Sequence, residues 1–154
     1  MGANMAAQES RFEIAGVLEQ IPLAGDFVAN IARKAGLDER GIYHCQLAID
    51  EACTNIIEHG YGLNGADRVI QLICRVDAQY LTITILDNSS AFNPLERPDP
   101  DPAMPLEERA SGGWGIYFIK KLMDAVSYTR EGRVNRLKMV KRLGVPTAPL
   151  PNEE

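Results

Sequence analysis

Between Asp38 and Gly60, apolar side chains return at Ile42, Cys45, Ile49, Ala52 and Ile56 and hold a 3.6-residue period for four turns. A stripe of that length has to be buried against a second layer, so it predicts an amphipathic helix packed on a sheet or on another helix. Asp38 suits the N-cap of that helix. Gly60, Tyr61 and Gly62 predict its end. Beside the stripe, Glu51, Asn55 and His59 stand four residues apart and form a polar row.

Elsewhere the period falls to two. In residues 69–76, Ile70, Leu72, Cys74 and Val76 share one face, and in 81–86 Leu81, Ile83 and Ile85 oppose Thr82 and Thr84. The link at 77–79 suits a hairpin. Residues 11–17 predict a first strand, and Phe27, Ile31 and Ala35 predict a first helix that runs from Ile21 and stops at Gly36. A third helix carries Ile116, Ile119 and Met123, and two last strands, near 125–130 and 134–142, turn at Glu131 and Gly132. Residues 62–67 read as a loop. Residues 93–111 hold five of the nine prolines and predict a lid or a disordered insertion.

Only one face of each strand is strongly apolar, which predicts a mixed, mostly antiparallel sheet with helices on one side. The expected class is therefore α+β, a two-layer sandwich of about five strands and about three helices. One domain is expected over residues 11–143, between flexible ends at 1–10 and 144–154.

Composition narrows the function. The formal net charge is −5, which disfavours direct binding to a nucleic-acid backbone. Basic residues gather late, at Arg130, Arg133, Arg136, Lys138, Lys141 and Arg142, where alternation with Leu137 and Met139 predicts the wet face of a strand. No apolar run approaches the roughly 20 residues that cross a bilayer. The first ten residues lack a signal-peptide pattern, and Ala6 stands where myristoylation wants Ser or Thr. A cytoplasmic protein without membrane contact is expected. Cys45, Cys53 and Cys74 are spaced for neither a disulfide framework nor zinc, and read as buried thiols.

Three short stretches carry candidate chemistry. Glu51 and Asn55, one turn apart, suit a general base and a Mg²⁺ ligand. Asp87, at a strand end before the small residues Ser89 and Ser90, suits an acceptor for an exocyclic amine. Gly112, Gly113, Trp114 and Gly115 open a helix, where backbone N–H groups and the helix dipole favour phosphate. Each has a plain structural reading when taken alone.

Their order is more telling. A helix with Glu-x-x-x-Asn-x-x-x-His, a strand-end Asp, a lid and a Gly-x-Gly turn opening a helix resemble the Bergerat-fold ATP-binding superfamily of histidine kinases and gyrase B subunits. Within it, 51–61 and 113–124 look like the N-box and second glycine box of the short anti-sigma-factor serine kinases. The resemblance implies ATP and Mg²⁺ as cofactors, with Glu51 as base for a substrate hydroxyl and Asn55 as metal ligand. It implies Asp87 for adenine, with His59, Ser89, Phe92, Arg109, Gly112, Gly113, Trp114 and Gly115 around the nucleotide. Implied partners are an anti-anti-sigma (STAS-domain) protein, a sigma factor or equivalent regulator, and a second copy of the chain. The first glycine box departs from the family's Asp-x-Gly-x-x-Phe-Asp-Pro, since Ser89 replaces Gly and Asn93 replaces Asp. A non-catalytic nucleotide- or protein-binding regulator is the alternative.

Overall fold

A computed structural model describes residues 7–90, 95, 103 and 114–144. The alternating stretches form β1 (Gln8–Ala15), β2 (Val69–Val76), β3 (Tyr80–Asp87), β4 (Ala125–Glu131) and β5 (Val134–Arg142). They pair in the order β1-β2-β3-β5-β4. Every neighbouring pair is antiparallel, so the sheet is antiparallel throughout rather than mixed. The β2–β3 turn is set by Asp77, whose Oδ1 accepts from the amides of Gln79 and Tyr80 at 2.7 and 2.8 Å.

Three helices cover one face: α1 (Ile21–Lys34), α2 (Glu39–Asn55) and α3 (Trp114–Leu122). Asp38 caps α2 as expected, accepting from the Gly41 amide at 2.8 Å. Ile42, Cys45, Ile49 and Ala52 are buried against Leu72, Ile83, Ile85 and Met139 of the sheet, with Val28 from α1 and Ile119 from α3 in the same core. Glu9, Arg11, Glu13, Gln71, Arg75 and Arg136 lie on the opposite, exposed face. The two-layer α+β expectation therefore holds.

Four boundaries differ from the sequence reading. First, β1 starts at Gln8, and Gln8, Glu9 and Ser10 pair with Val76, Arg75 and Cys74, so these three belong to the sheet and not to a loose end. The strand stops at Ala15 because the Gly16 amide turns to the carbonyls of Gly65 and Arg68, both at 2.9 Å. Second, that approach leaves no space for a side chain at Gly65, whose Cβ would sit 1.8 Å from the Gly16 oxygen. Residues Gly62–Asp67 accordingly wind into a 3-10 turn.

Third, α2 keeps α-helical bonding only to Asn55 and continues as a π-helical turn over Ile56–Tyr61. Buried Tyr61 anchors this turn, its hydroxyl donating to the Val69 carbonyl and accepting from the Asn88 amide. Fourth, two of the late basic residues leave the wet face. Arg130 pairs with Asn135 and Lys141 reaches Leu122, both on the helix side of the sheet.

Candidate functional site

The end of α2, the start of α3 and the adjoining ends of β3, β4 and β5 meet around a cleft. Ile56, Ile116 and Leu137 give it apolar walls, while Asn55, Asp87, Ser89 and Asn135 supply its polar atoms. The described cavity is narrow, about 40 Å³. That holds about three waters, so a purine ring would have to part its walls.

Asp87 ends β3 on the inward parity of the strand, after Ile83 and Ile85. Its residue is only 9% exposed, so its carboxylate needs partners. Oδ1 accepts from the Ser89 amide at 2.9 Å, the Ser89 hydroxyl at 2.5 Å and Asn135 Nδ2 at 3.0 Å. Among the described residues no donor falls on Oδ2, which leaves that oxygen available to an amine entering the cleft.

Asn135 sits opposite Asp87 in the β3–β5 register and is 4% exposed. Its Nδ2 reaches the Ser89 carbonyl at 3.1 Å as well as Asp87. Its Oδ1 accepts from the Tyr128 hydroxyl at 2.5 Å and from Arg130 Nη1 at 2.8 Å. Donors on one side and acceptors on the other fix the amide's orientation. Arg130 also donates to the Ser89 carbonyl at 3.0 Å, closing a network over β3, β4 and β5.

Ser89 fits its turn without backbone strain, because no described non-glycine residue has a positive φ. Gly60 makes room for it: a Cβ there would lie 2.7 Å from the Ser89 hydroxyl oxygen.

Asn55 lines the same cleft from α2, and its Nδ2 is buried with no acceptor. Such an atom carries a desolvation cost that a ligand oxygen would offset. The residues present therefore fit a nucleotide: a free carboxylate oxygen for an exocyclic amine, apolar walls for a flat base, and an unmet amide donor for a phosphate. Glu51 lies one turn before Asn55 and is half-buried, but it does not line the cavity. Burial, then Asp50 and Glu58, push its carboxyl above the ordinary range.

His59 is exposed on the π-helical turn and stands outside the cleft, where Ile56 and Gly60 take its expected place. Trp114 and Gly115 open α3 beside the cleft. Phe92, Arg109, Gly112 and Gly113 lie outside the described residues. Asn135, Tyr128 and Gly60 were not expected at the site, Gly60 having been read only as part of the helix end. A signal for Asn135 was present, since it occupies the inward parity of β5 shared by Leu137 and Met139.

Cys45, Cys53 and Cys74 are free and buried, with burial pushing their thiols up to about 11, about 12 and about 12. No group of three or more His, Cys, Asp or Glu able to hold a metal occurs among the described residues. No helix among them is long and apolar enough to cross a membrane.

Residues 14–141 match the model of the histidine kinase-like ATPase domain. The chain belongs to this family. Among its histidine kinase-like relatives, serine/threonine-protein kinase BtrW of Bordetella bronchiseptica is 31% identical over 93 residues, 60% of this chain and 65% of that protein. Serine-protein kinase RsbW of Bacillus thuringiensis (strain Al Hakam) is 31% identical over 118 residues, 70% of this chain and 72% of the relative. In the solved structure of the RsbU and RsbW domains of Rv1364c from Mycobacterium tuberculosis, a similar fold covers 88% of this chain and 32% of that one, with a TM-score of 0.62. At 12% identity that likeness speaks to the fold alone.

Proposed function

We propose that this chain is an ATP-dependent serine/threonine protein kinase of a partner-switching module. Its substrate is a small anti-anti-sigma protein of the STAS type, and its second partner is a sigma factor or equivalent regulator. The observation that carries the reading is the pairing, across one cleft, of an Asp87 carboxylate oxygen without a donor among the described residues and a buried Asn55 amide without an acceptor. Family membership and the names of the kinase relatives support it. A cytoplasmic homodimer is part of the same proposal.

Asp87 would hold the adenine amine through Oδ2, with Oδ1 kept in place by Ser89 and Asn135. Asn55 would hold the phosphate end together with Mg²⁺, which supplies charge neutralisation on the β- and γ-phosphates. Phe92 is assigned to the end of the first glycine box, and Arg109, Gly112, Gly113, Trp114 and Gly115 to the lid and phosphate turn. Glu51 takes the proton of the partner's serine hydroxyl, whose oxygen attacks the γ-phosphorus as the bond to the β-phosphate oxygen breaks and ADP leaves. A carboxyl raised by burial and by two acidic neighbours is the better base for that step. Phosphate on the partner then adds about −1.5 to −2 charge at pH 7. Against a chain of net charge −5, that weakens the complex and frees the kinase for its second partner.

Transfer of label from γ-labelled ATP to a candidate STAS protein tests the reading, with calorimetry of Mg²⁺–ATP alongside. Label on the partner, lost in Glu51→Gln while ATP still binds, is expected. ATP binding without transfer to any STAS partner would leave a non-catalytic regulator.

A further inference from the structure

At the end of the domain opposite the nucleotide cleft, the start of α2, the segment after α3 and the end of β5 border an open surface concavity of about 430 Å³. Arg40, His44, Lys141 and Arg142 line it, against two carboxylates, Asp38 and Asp124. Both carboxylates are engaged by backbone amides. Asp38 accepts from Gly41 at 2.8 Å and Asp124 from Arg142 at 2.7 Å.

The cations are not matched in this way. The ion pair found among the described residues, Arg11 with Glu9, lies elsewhere, and none reaches within 4.0 Å of Arg40, Lys141 or Arg142. Lys141 spends its ammonium on the Leu122 carbonyl at 2.6 Å and stands 3.2 Å from His44 Nδ1. Arg142 Nε is shielded from solvent with no acceptor. Burial, then Lys141 and Arg40, hold the His44 imidazole below its ordinary value, opposed by Asp38 and Asp124. In its neutral form the imidazole can accept at Nδ1 from the Lys141 ammonium.

A chain of net charge −5 has gathered three unpaired cations and an unmet guanidinium N–H around one concavity. Repulsion among like charges costs stability, and an anion in the concavity relieves it. We propose that this cavity is a second ligand site, for a phosphate-sized oxyanion, either free or as the phosphate end of a small organic molecule. Arg40 and Arg142 suit two-pronged contact with such a group, and Lys141 supplies a point charge. The first turn of α2 is not what carries the site, because Asp38 already takes its amide. Along α2, His44 stands roughly 16 Å from Asn55, so the two sites are separate.

The test follows the two imidazoles, His44 and His59, by NMR in the full chain during titration with orthophosphate, against chloride at matched ionic strength. A bound dianion favours the imidazolium, so the His44 midpoint should rise while exposed His59 stays put. Lys141→Met and Arg40→Gln should each weaken phosphate binding by about tenfold or more. Arg40 is exposed, so its variant keeps the fold if Lys141→Met does not. Asn55→Ala, which weakens the nucleotide site, should leave the His44 response intact and so separates the two readings. Repeating the titration with glycerol phosphate distinguishes the sources: tighter binding than orthophosphate assigns an organic phosphate, and equal or weaker binding assigns the free ion. A His44 midpoint that ignores both phosphates, or that responds equally in Arg40→Gln, overturns the proposal.

Discussion

Replacing Asn135 by Ala would test the polar network that positions Asp87. The residue is 4% exposed and bridges three strands. Truncation removes two charge-assisted bonds, to Asp87 Oδ1 and from Arg130 Nη1, each typically about 1.5–3 kcal/mol. It also removes the acceptor of the Tyr128 hydroxyl, about 1 kcal/mol more. Arg130 keeps the Ser89 carbonyl, and Asp87 keeps both Ser89 donors, so part of the loss is recovered. A net destabilisation of about 3 kcal/mol is expected, or roughly 6–12 °C in Tm for a domain of this size. Thermal and urea unfolding of Asn135→Ala, Tyr128→Phe and the double variant measure it. Because one hydrogen bond joins the pair, the double variant should lose less than the two singles together by about 1 kcal/mol. ATP affinity should fall by about tenfold as the Asp87 carboxylate loses its fixed orientation. A change in Tm under about 2 °C, with strictly additive singles, would refute the network and with it the account of how Asp87 is held.

Three further outcomes follow from the same geometry. Transfer activity should decline on acidification with a midpoint above the ordinary carboxylate range, because burial, Asp50 and Glu58 raise Glu51. Since the ionised carboxylate is the disfavoured form, the stability associated with its protonation is present in acid and lost as pH rises through the folded pKa. Glu51→Gln, which mimics the protonated form, should thus be the more stable protein at neutral pH and lose that advantage in acid. Gly60→Ala places a Cβ 2.7 Å from the Ser89 hydroxyl oxygen and should cost about 1–3 kcal/mol by urea unfolding, largely restored by Ser89→Gly. With thiols pushed up to about 11 to about 12, Cys45, Cys53 and Cys74 should resist alkylation at pH 8 in the native protein and react once it is unfolded.

Much of the architecture was legible because it rests on local periodicity. The 3.6-residue stripe from Ile42 to Ile56 and the alternation through Ile70 and Ile83 name their own buried faces, and those residues form the core. Asp38 and Asp77 act through bonds to amides two or three residues away, so their roles were within reach of a short window. Asn55 and Asp87 were singled out by the order of motifs that resembles the ATP-binding superfamily, and the structure sets both on one cleft.

Other features depended on groups far apart in the chain. Asn135 faces Asp87 only because β5 inserts between β3 and β4. The switch from α to π geometry after Asn55 turns on Tyr61 reaching Val69 and Asn88, and it carries exposed His59 off the polar row. Lys141 reads as one more basic residue on an alternating strand until its inward parity sets it against His44 and Leu122.

The sequence by itself determined which faces are apolar and where helices and hairpins start. Those follow from side-chain chemistry repeated at short range. Only the tertiary structure decided that Ser89 stands unstrained in its turn, that an asparagine clamps the strand-end carboxylate, and that three cations converge beside two carboxylates already held by backbone amides. These properties arise from strand order and register, which bring together residues separated by tens of positions, and no local pattern encodes that distance.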